Sequence, residues 1–332
     1  MKLPYSNGNI LSYGLEDHIT CPTFFYSKII DCKGGAVVPG FIDAHACPIW
    51  EGDRLPELVQ KQAAGAFNLE MQETWVGINR TAETTRMCLE SVLYESCLAR
   101  FRARISTKQT MVKKGTTTVE CKTGYGLTWE NEERLLRILT RLKRDLPIDL
   151  SITFYAASTK PKNMTTEEFV DHIVEEQIPS LKKLMDTGEV CVHNIDVRSK
   201  EGYFTAEQTR RIISAGTNIG LNANFHVGED GHIKTAELAA SLKARAVSHL
   251  DNITPAGVAA LTTSETAAIL LPITSLFLHR HPPPAVSIAQ AGIPLVLGTN
   301  FNPGQYCTSM VGAAPASHAF FRMFPVLSAS VS

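Results

Sequence analysis

His45 and Cys47 are the first pair of residues whose types and spacing could do chemistry. They follow an apolar run at residues 36–42 that predicts a β-strand, and Asp43 leads into them. Residues two apart on a strand share a face, so both side chains would point to one spot. Imidazole nitrogen and thiolate sulfur both bind divalent metals such as zinc. The alternative is structural: a strand-end histidine in a hydrogen bond beside a buried cysteine.

Three further polar residues end apolar runs in the same way. His226 and His249 lie in the runs 221–226 and 246–250, and Asn300 follows the run 294–298. A carboxylate, Glu229, comes three residues after His226. A single strand-end histidine is usually a structural residue, but several such positions together favour a shared site at one edge of a sheet.

The elements that must position these residues alternate along the chain. Apolar, β-branched runs predict strands at residues 36–44, 116–121, 150–156, 194–197, 221–226, 246–250, 268–273 and 294–298. Helical periodicity predicts helices at residues 129–145, 165–186, 206–215, 234–243, 255–261 and 284–291. The alternation predicts an α/β fold, a (β/α)8 barrel whose chemistry lies at the carboxyl ends of the strands. A doubly wound open sheet is the alternative, although no glycine-rich phosphate loop follows any strand.

Composition narrows the functional class. The chain has 332 residues, 44% of them hydrophobic, which is enough for a large core. A net charge of -1 gives no general electrostatic case for nucleic acid or an anionic membrane as partner. The 8 cysteines include no CxxC pair and fit reduced thiols. With neither a signal peptide nor a transmembrane-length run in view, we expect a cytoplasmic enzyme with a small-molecule substrate.

Several motifs resemble the amidohydrolase superfamily and, within it, the imidazolonepropionase family. They are PGFIDAH at 39–45, GDR at 52–54, GTTTVECKTGYGL at 115–127, NIDV at 194–197, HVGE at 226–229, SHL at 248–250, ILLP at 269–272 and NP at 302–303. The similarity runs from about residue 37 to about residue 310, nearly the whole predicted barrel. The KTGYGL element is particularly specific to this family.

The resemblance also implies a domain organisation. An amidohydrolase-type barrel would occupy residues 37–310. The second β domain, built in the family from both termini, would be reduced to a remnant at residues 1–36 and a truncated tail at 311–332. We therefore expect a barrel with a reduced second domain. The candidate assembly is a homodimer.

The resemblance implies a metal-dependent hydrolase that acts on a C–N bond in a cyclic amide during histidine degradation. Its reaction converts 4-imidazolone-5-propanoate and water to N-formimidoyl-L-glutamate, with one zinc or iron ion as cofactor. The implied metal ligands are His45, Cys47, His226 and Asn300. No nucleic-acid or membrane partner is implied.

The resemblance assigns the remaining site residues as well. The implied catalytic residues, which handle protons or polarise the substrate, are Glu229, His249 and Asn300. The implied substrate-binding residues are Arg54, Tyr125, Ser158, Asn302 and Gly304. Among these, the Arg54 guanidinium suits the propanoate group, because its planar fork matches a carboxylate.

Three of these positions depart from the family pattern. Cys47 stands where the family has a second histidine, Asn300 where it has an aspartate, and Ser158 where it has a substrate-contacting histidine. A neutral amide at residue 300 cannot take up a proton. The alternative function is therefore an inactive or impaired barrel that still binds a ligand or partner. An amidohydrolase with another substrate is a third reading, which the retained Arg54 and Tyr125 disfavour.

Overall fold

The structure, a computed structural model, describes residues 5–6, 9–10, 14, 30–54, 56, 70–102, 111, 114–200, 202–227, 234–277 and 281–313. Of residues 5–6, 9–10 and 70–76 it describes the backbone. The chain forms two compact units, Met1–Pro39 and Gly40–Ser332. In the first unit, β1 (Tyr5–Ser6) pairs antiparallel with β2 (Asn9–Ile10).

The second unit is built on an eight-stranded parallel sheet. Its strands are β3 (Phe41–Ala46), β4 (Thr116–Lys122), β5 (Asp149–Ala157), β6 (Asn194–Ser199), β7 (Asn222–Val227), β8 (Ala246–Ser248), β9 (Ala267–Leu270) and β10 (Leu295–Leu297). Each strand pairs with the next along the chain. The sheet closes through the parallel bridge between Ala46 and Phe301, where the Cys47 N–H donates to the Phe301 carbonyl at 2.8 Å. The predicted α/β barrel is confirmed.

All eight predicted strands exist, and their ends differ from prediction for local reasons. The predicted strand 36–44 begins only at Phe41, after Pro39 and Gly40. β8 stops at Ser248 because His249 and Leu250 adopt left-handed backbone, with φ of 76° and 66°. The predicted strand 268–273 ends at Leu270 because a helix begins at Pro272.

Helices cover the outside of the barrel. Those described are α1 (Glu70–Met87), α2 (Glu90–Arg102), α3 (Trp129–Asp145), α4 (Thr166–His172), α5 (Ile178–Asp186), α6 (Ala206–Asn218), α7 (Thr235–Ser241), α8 (Pro255–Thr262), α9 (Pro272–Phe277) and α10 (Ala285–Gln290). A π-helical turn at Ile173–Gln177 joins α4 to α5, so the single helix predicted at 165–186 has a bulge. The sequence did not predict α1, α2 or α9.

The two sides of the sheet are chemically different, and this difference positions the site. Between strands and helices lies the apolar core, to which α3 contributes Leu135, Leu136 and Leu139, all fully buried. The barrel interior instead holds buried polar and charged side chains, among them Lys122 and Asp196. Such groups are kept inside a protein only when they are paired. Within the described part of the chain, no helix is long and apolar enough to cross a membrane.

Candidate active site

Three histidines converge inside the barrel at the carboxyl ends of its strands. His45 lies on β3, His226 on β7, and His249 directly after β8. One ring nitrogen from each can be chosen so that all three lie within 4.8 Å of one another. The ring centroids of His45 and His226 are 4.6 Å apart, and both lie about equally far from His249, at 5.6 and 5.5 Å. The three imidazoles therefore surround a single point.

The backbone at β3 is fixed by a buried carboxylate. Asp43 accepts hydrogen bonds from the Thr299 N–H at 2.9 Å, from the Thr299 hydroxyl at 2.6 Å and from the His45 N–H at 3.3 Å. Burial raises the pKa of Asp43 to about 6, although these hydrogen bonds oppose the shift. Asp43 thereby ties the strand carrying His45 to the loop after β10.

The histidine cluster fits a metal ion on the chemistry of its donors. His45 is completely buried, and neither of its ring nitrogens has a hydrogen-bond partner among the described residues. Unpaired polar atoms inside a protein are costly, and a metal ion would give one of them a partner. Burial, together with the charge of Lys122 and the neighbouring His226 and His249, holds the pKa of His45 well below its usual range. The imidazole is thus neutral, which is the form that binds metal.

Two further residues were predicted as metal ligands, Cys47 and Asn300, and of these Asn300 has side-chain partners in the structure. Cys47 is buried and does not belong to the group of three donors found among the described residues. Burial raises the pKa of its thiol to about 12, so a metal would have to displace the proton. The Asn300 amide donates to the Thr274 hydroxyl at 2.9 Å and to Gln305 Oε1 at 3.1 Å. Their roles as ligands stay predictions.

His249 is one of the three residues whose donor atoms could hold a metal ion. The sequence reasoning assigned it to polarisation or proton transfer and not to metal binding. Both His249 and Asn300 occupy left-handed backbone, with φ of 76° and 53°. Non-glycine residues in this region are uncommon and concentrate at functional sites. The signal available in the sequence was the position of His249 at a strand end, equal to that of His226.

Tyr125 occupies a tightly built turn after β4. Glu132 Oε1 accepts from the Gly126 N–H at 2.7 Å and from the Leu127 N–H at 3.1 Å, and Gln177 Nε2 donates to the Leu127 carbonyl at 3.2 Å. Gly126 permits this approach, because a Cβ there would fall 2.7 Å from Glu132 Oε1. The turn is therefore a fixed platform for Tyr125.

Tyr125 itself lies in the electrostatic field of other site residues. It is 8% exposed, and burial raises the pKa of its hydroxyl above the ordinary value; the charge of Arg54 opposes that shift. Ser158 donates its hydroxyl to the Gly124 carbonyl at 2.5 Å, so it supports the turn that carries Tyr125. The substrate contacts predicted for Arg54, Tyr125 and Ser158 stay predictions.

Asn302 and Gly304 form a small turn after β10. The Asn302 amide donates to the Asn300 carbonyl at 2.6 Å, and its Oδ1 accepts from the Gly304 N–H at 2.8 Å. Both residues therefore belong to the loop that carries Asn300. Glu229, the predicted proton-transfer residue, lies outside the described residues.

Sequence reasoning missed the residues that hold His226. Asp196 Oδ1 lies 3.0 Å from His226 Nδ1, and the Tyr155 ring stacks on the imidazole with centroids 4.4 Å apart and planes at 10°. Lys122 forms an ion pair with Asp196 at 2.5 Å. The available signal was the presence of two charged residues, Glu120 and Lys122, inside a β-branched strand.

Comparison with known proteins gives the chain a family. It is 43% identical over 306 residues to a protein of Nematostella vectensis named "probable imidazolonepropionase", covering 91% of this chain and 69% of that one. It is 41% identical over 285 residues to a human protein of the same name, covering 86% and 65%. The chain thus spans about two thirds of the length of these relatives. No family model matches it.

Solved structures support the fold. Guanine deaminase from C. acetobutylicum superposes with a TM-score of 0.60 at 13% identity, covering 95% of this chain and 72% of that one. An adenosine deaminase from Xanthomonas campestris, solved with bound zinc, gives a TM-score of 0.57 at 12% identity, covering 86% and 61%. At such identities the likeness concerns the barrel alone. The identity to the Nematostella protein over most of both chains decides the relationship: this chain belongs to the imidazolonepropionase family.

Proposed function

We propose that this protein is a metal-dependent imidazolonepropionase, hydrolysing 4-imidazolone-5-propanoate to N-formimidoyl-L-glutamate. The observation that carries the proposal is the convergence of His45, His226 and His249, in a chain so similar to proteins named for that activity. The proposal includes the cytoplasmic location and the homodimer that we expect from the sequence and the resemblance.

We propose zinc or iron as the ion held by the three histidines. Imidazole nitrogen suits both metals, and the unpaired nitrogens of His45 support a metal at this point. A divalent ion there would act as a Lewis acid and would lower the pKa of water. Hydrolysis of a cyclic amide near neutral pH requires this kind of activation.

The chain's own residues would bind and orient the substrate. Arg54 is proposed to hold the propanoate group, because a guanidinium donates two parallel hydrogen bonds to a carboxylate. Tyr125 keeps its proton near neutral pH, since burial raises the pKa of its hydroxyl, and can donate a hydrogen bond to the ring. Ser158 supports the turn of Tyr125, and Asn302 and Gly304 are proposed to contact the formimidoyl-glutamate portion of the product.

Proton transfer is proposed to fall to Glu229. The Asn300 amide cannot accept the proton of an attacking water, whereas a carboxylate can. Glu229 follows His226 by three residues, close in sequence to the histidine cluster. His249 is proposed as a member of the ligand group, since its nitrogen lies within 4.8 Å of the other two.

The experiment is a direct assay of the full chain. Protein freed of metal and reloaded with zinc or iron(II) should consume imidazolone propanoate, measured by the loss of its absorbance, with the product confirmed by mass. Chelation and the His226→Ala variant should each abolish turnover. Folded, metal-loaded protein that forms no product would contradict the proposal and favour a barrel that binds without turnover.

A further inference from the structure

We propose that Lys122 is a positioning residue for the histidine cluster, acting through Asp196 on His226. In this arrangement Lys122 fixes the Asp196 carboxylate, which holds Nδ1 of His226 and so makes Nε2 the ring nitrogen offered to a metal. The inference rests on the metal-binding part of the proposed function, but not on the identity of the substrate.

The contacts form a chain across the barrel interior. Lys122 Nζ on β4 lies 2.5 Å from Asp196 Oδ2 on β6, and Asp196 Oδ1 lies 3.0 Å from His226 Nδ1 on β7. The two oxygens of Asp196 thus contact different residues: Oδ1 contacts His226 and Oδ2 contacts Lys122. Lys122 is 1% exposed and Asp196 is fully buried, so no bulk water competes for these positions. The carboxylate can rotate only by giving up both contacts.

Lys122 is itself held by a second carboxylate. Glu120 Oε1 lies 2.7 Å from Lys122 Nζ and also accepts from the Thr153 hydroxyl at 2.7 Å and the Asn224 amide at 2.8 Å. Side chains from three strands, β4, β5 and β7, therefore hold the Glu120 carboxylate that contacts the Lys122 ammonium group. Because every residue of this network lies on a strand, the barrel fixes the position of the Lys122 ammonium group relative to Asp196.

Stability alone is a poor reason for this arrangement. Burying an ion pair costs desolvation, and apolar residues of similar volume are often as stable or more so. With both carboxylates ionised, Lys122, Glu120 and Asp196 carry one net negative charge; burial raises the pKa of both carboxyl groups, and the charge of Lys122 opposes that shift. Histidine binds metal as a neutral imidazole, so the three side chains bring no anionic ligand and the net negative charge would complement a bound cation. A carboxylate on the far nitrogen of a ligating histidine fixes its tautomer and orientation.

The experiment measures metal affinity in the full chain. Lys122→Met keeps the length of the side chain and removes the charge; zinc is titrated against a chromophoric chelator. Loss of an outer partner of a metal ligand costs about 10–100-fold in affinity, and we expect that loss here. Lys143→Met is the matched control, because Lys143 donates to the Leu150 carbonyl at 2.7 Å outside this network. Its zinc affinity should equal that of the wild type.

Further variants separate positioning from folding. Asp196→Asn should weaken zinc binding to a similar extent, and it tests the proposal if Lys122→Met does not fold. Lys122→Met combined with Asp196→Asn should bind no more weakly than Asp196→Asn alone, because Lys122 acts through that carboxylate. Wild-type zinc affinity in folded Lys122→Met or in Asp196→Asn, or additive losses in the double variant, would overturn the proposal. Wild type that binds zinc without hydrolysing imidazolone propanoate would refute the activity and leave this inference standing.

Discussion

Gly298 lies directly against His45, at the seam where the barrel closes. A Cβ added to residue 298 would fall 2.8 Å from the His45 Cβ and 3.1 Å from its backbone nitrogen. Only glycine allows this approach, which brings the end of β10 close enough for the Asn300 N–H to donate to the His45 carbonyl at 3.0 Å. The position of His45 therefore depends on the absence of a side chain at residue 298, directly after the last strand.

Gly298→Ala should displace His45 and weaken metal binding. The added methyl has no room, and overpacking costs about 1–3 kcal/mol in stability. Zinc affinity should fall by roughly tenfold or more, as when the support of a ligand is lost. Gly312→Ala is the control, because a Cβ there would meet nothing closer than 3.6 Å. Equal zinc affinity in Gly298→Ala and wild type would show that the contact does not matter.

His226→Ala should remove the metal. The cluster offers three nitrogens, and removal of one leaves two donors, too few for a stable structural or catalytic site. The measurement is zinc content after dialysis, by elemental analysis. His172→Ala serves as control, since His172 pairs with Glu176 at 2.9 Å on a helix outside the barrel. Wild-type zinc content in His226→Ala would exclude the proposed centre.

Glu132→Ala should destabilise the turn that carries Tyr125. Two buried N–H groups would lose their acceptor, and leaving a buried donor unpaired costs about 1–3 kcal/mol. The free energy of unfolding in urea measures the loss. The neighbouring Glu133→Ala removes only an exposed ion pair with Arg137, worth about 0–1 kcal/mol. Equal losses in the two variants would mean that Glu132 does not support the turn.

Asn300→Asp combined with Cys47→His should raise the hydrolysis rate by at least roughly a hundredfold. An aspartate can accept a proton from water, which the amide cannot, and such acid–base help is worth about 10²–10⁴ in rate. The new carboxylate would lie against Gln305 Oε1, so the Gln305 side-chain amide must flip and present Nε2 as a donor. Within the described chain Nε2 has no other partner that such a flip would break. Asn222→Asp, on the first residue of β7, is the control. No gain in folded, metal-loaded double variant would place the limitation elsewhere, for example at Ser158.

His193 should make stability fall on acidification. Its Nδ1 accepts from the Ile152 N–H at 3.0 Å; partial burial, then the charge of Lys143, lowers its pKa. The folded protein therefore binds fewer protons than the unfolded chain as pH falls below about 6.5, and stability is lost there. Urea unfolding at about pH 7.5 and about pH 5.5 should show a smaller loss in His193→Gln than in wild type. An unchanged loss would assign the pH dependence to other groups.

The sequence by itself determined the architecture and the place of the chemistry. Apolar, β-branched runs alternating with segments of helical periodicity predicted the eight barrel strands, and α3 was predicted at its observed bounds, Trp129–Asp145. A polar residue at the end of an apolar strand can be recognised from the sequence alone, so His45, His226 and His249 could all be identified as candidate site residues. Local signals of this kind depend on neighbours a few residues away.

Only the tertiary structure decided which residues work together. The sequence placed His45, His226, His249 and Asn300 at one shared site and made His45, Cys47, His226 and Asn300 its metal ligands. Among the described residues, the structure shows that the three side chains with donor atoms within 4.8 Å of one another are His45, His226 and His249. It also brings Lys122 of β4 to Asp196 of β6, two charged residues whose spacing along the chain carries no signal. Such partners are set by strand order and register in a closed barrel, because closure places side chains from different strands around one interior.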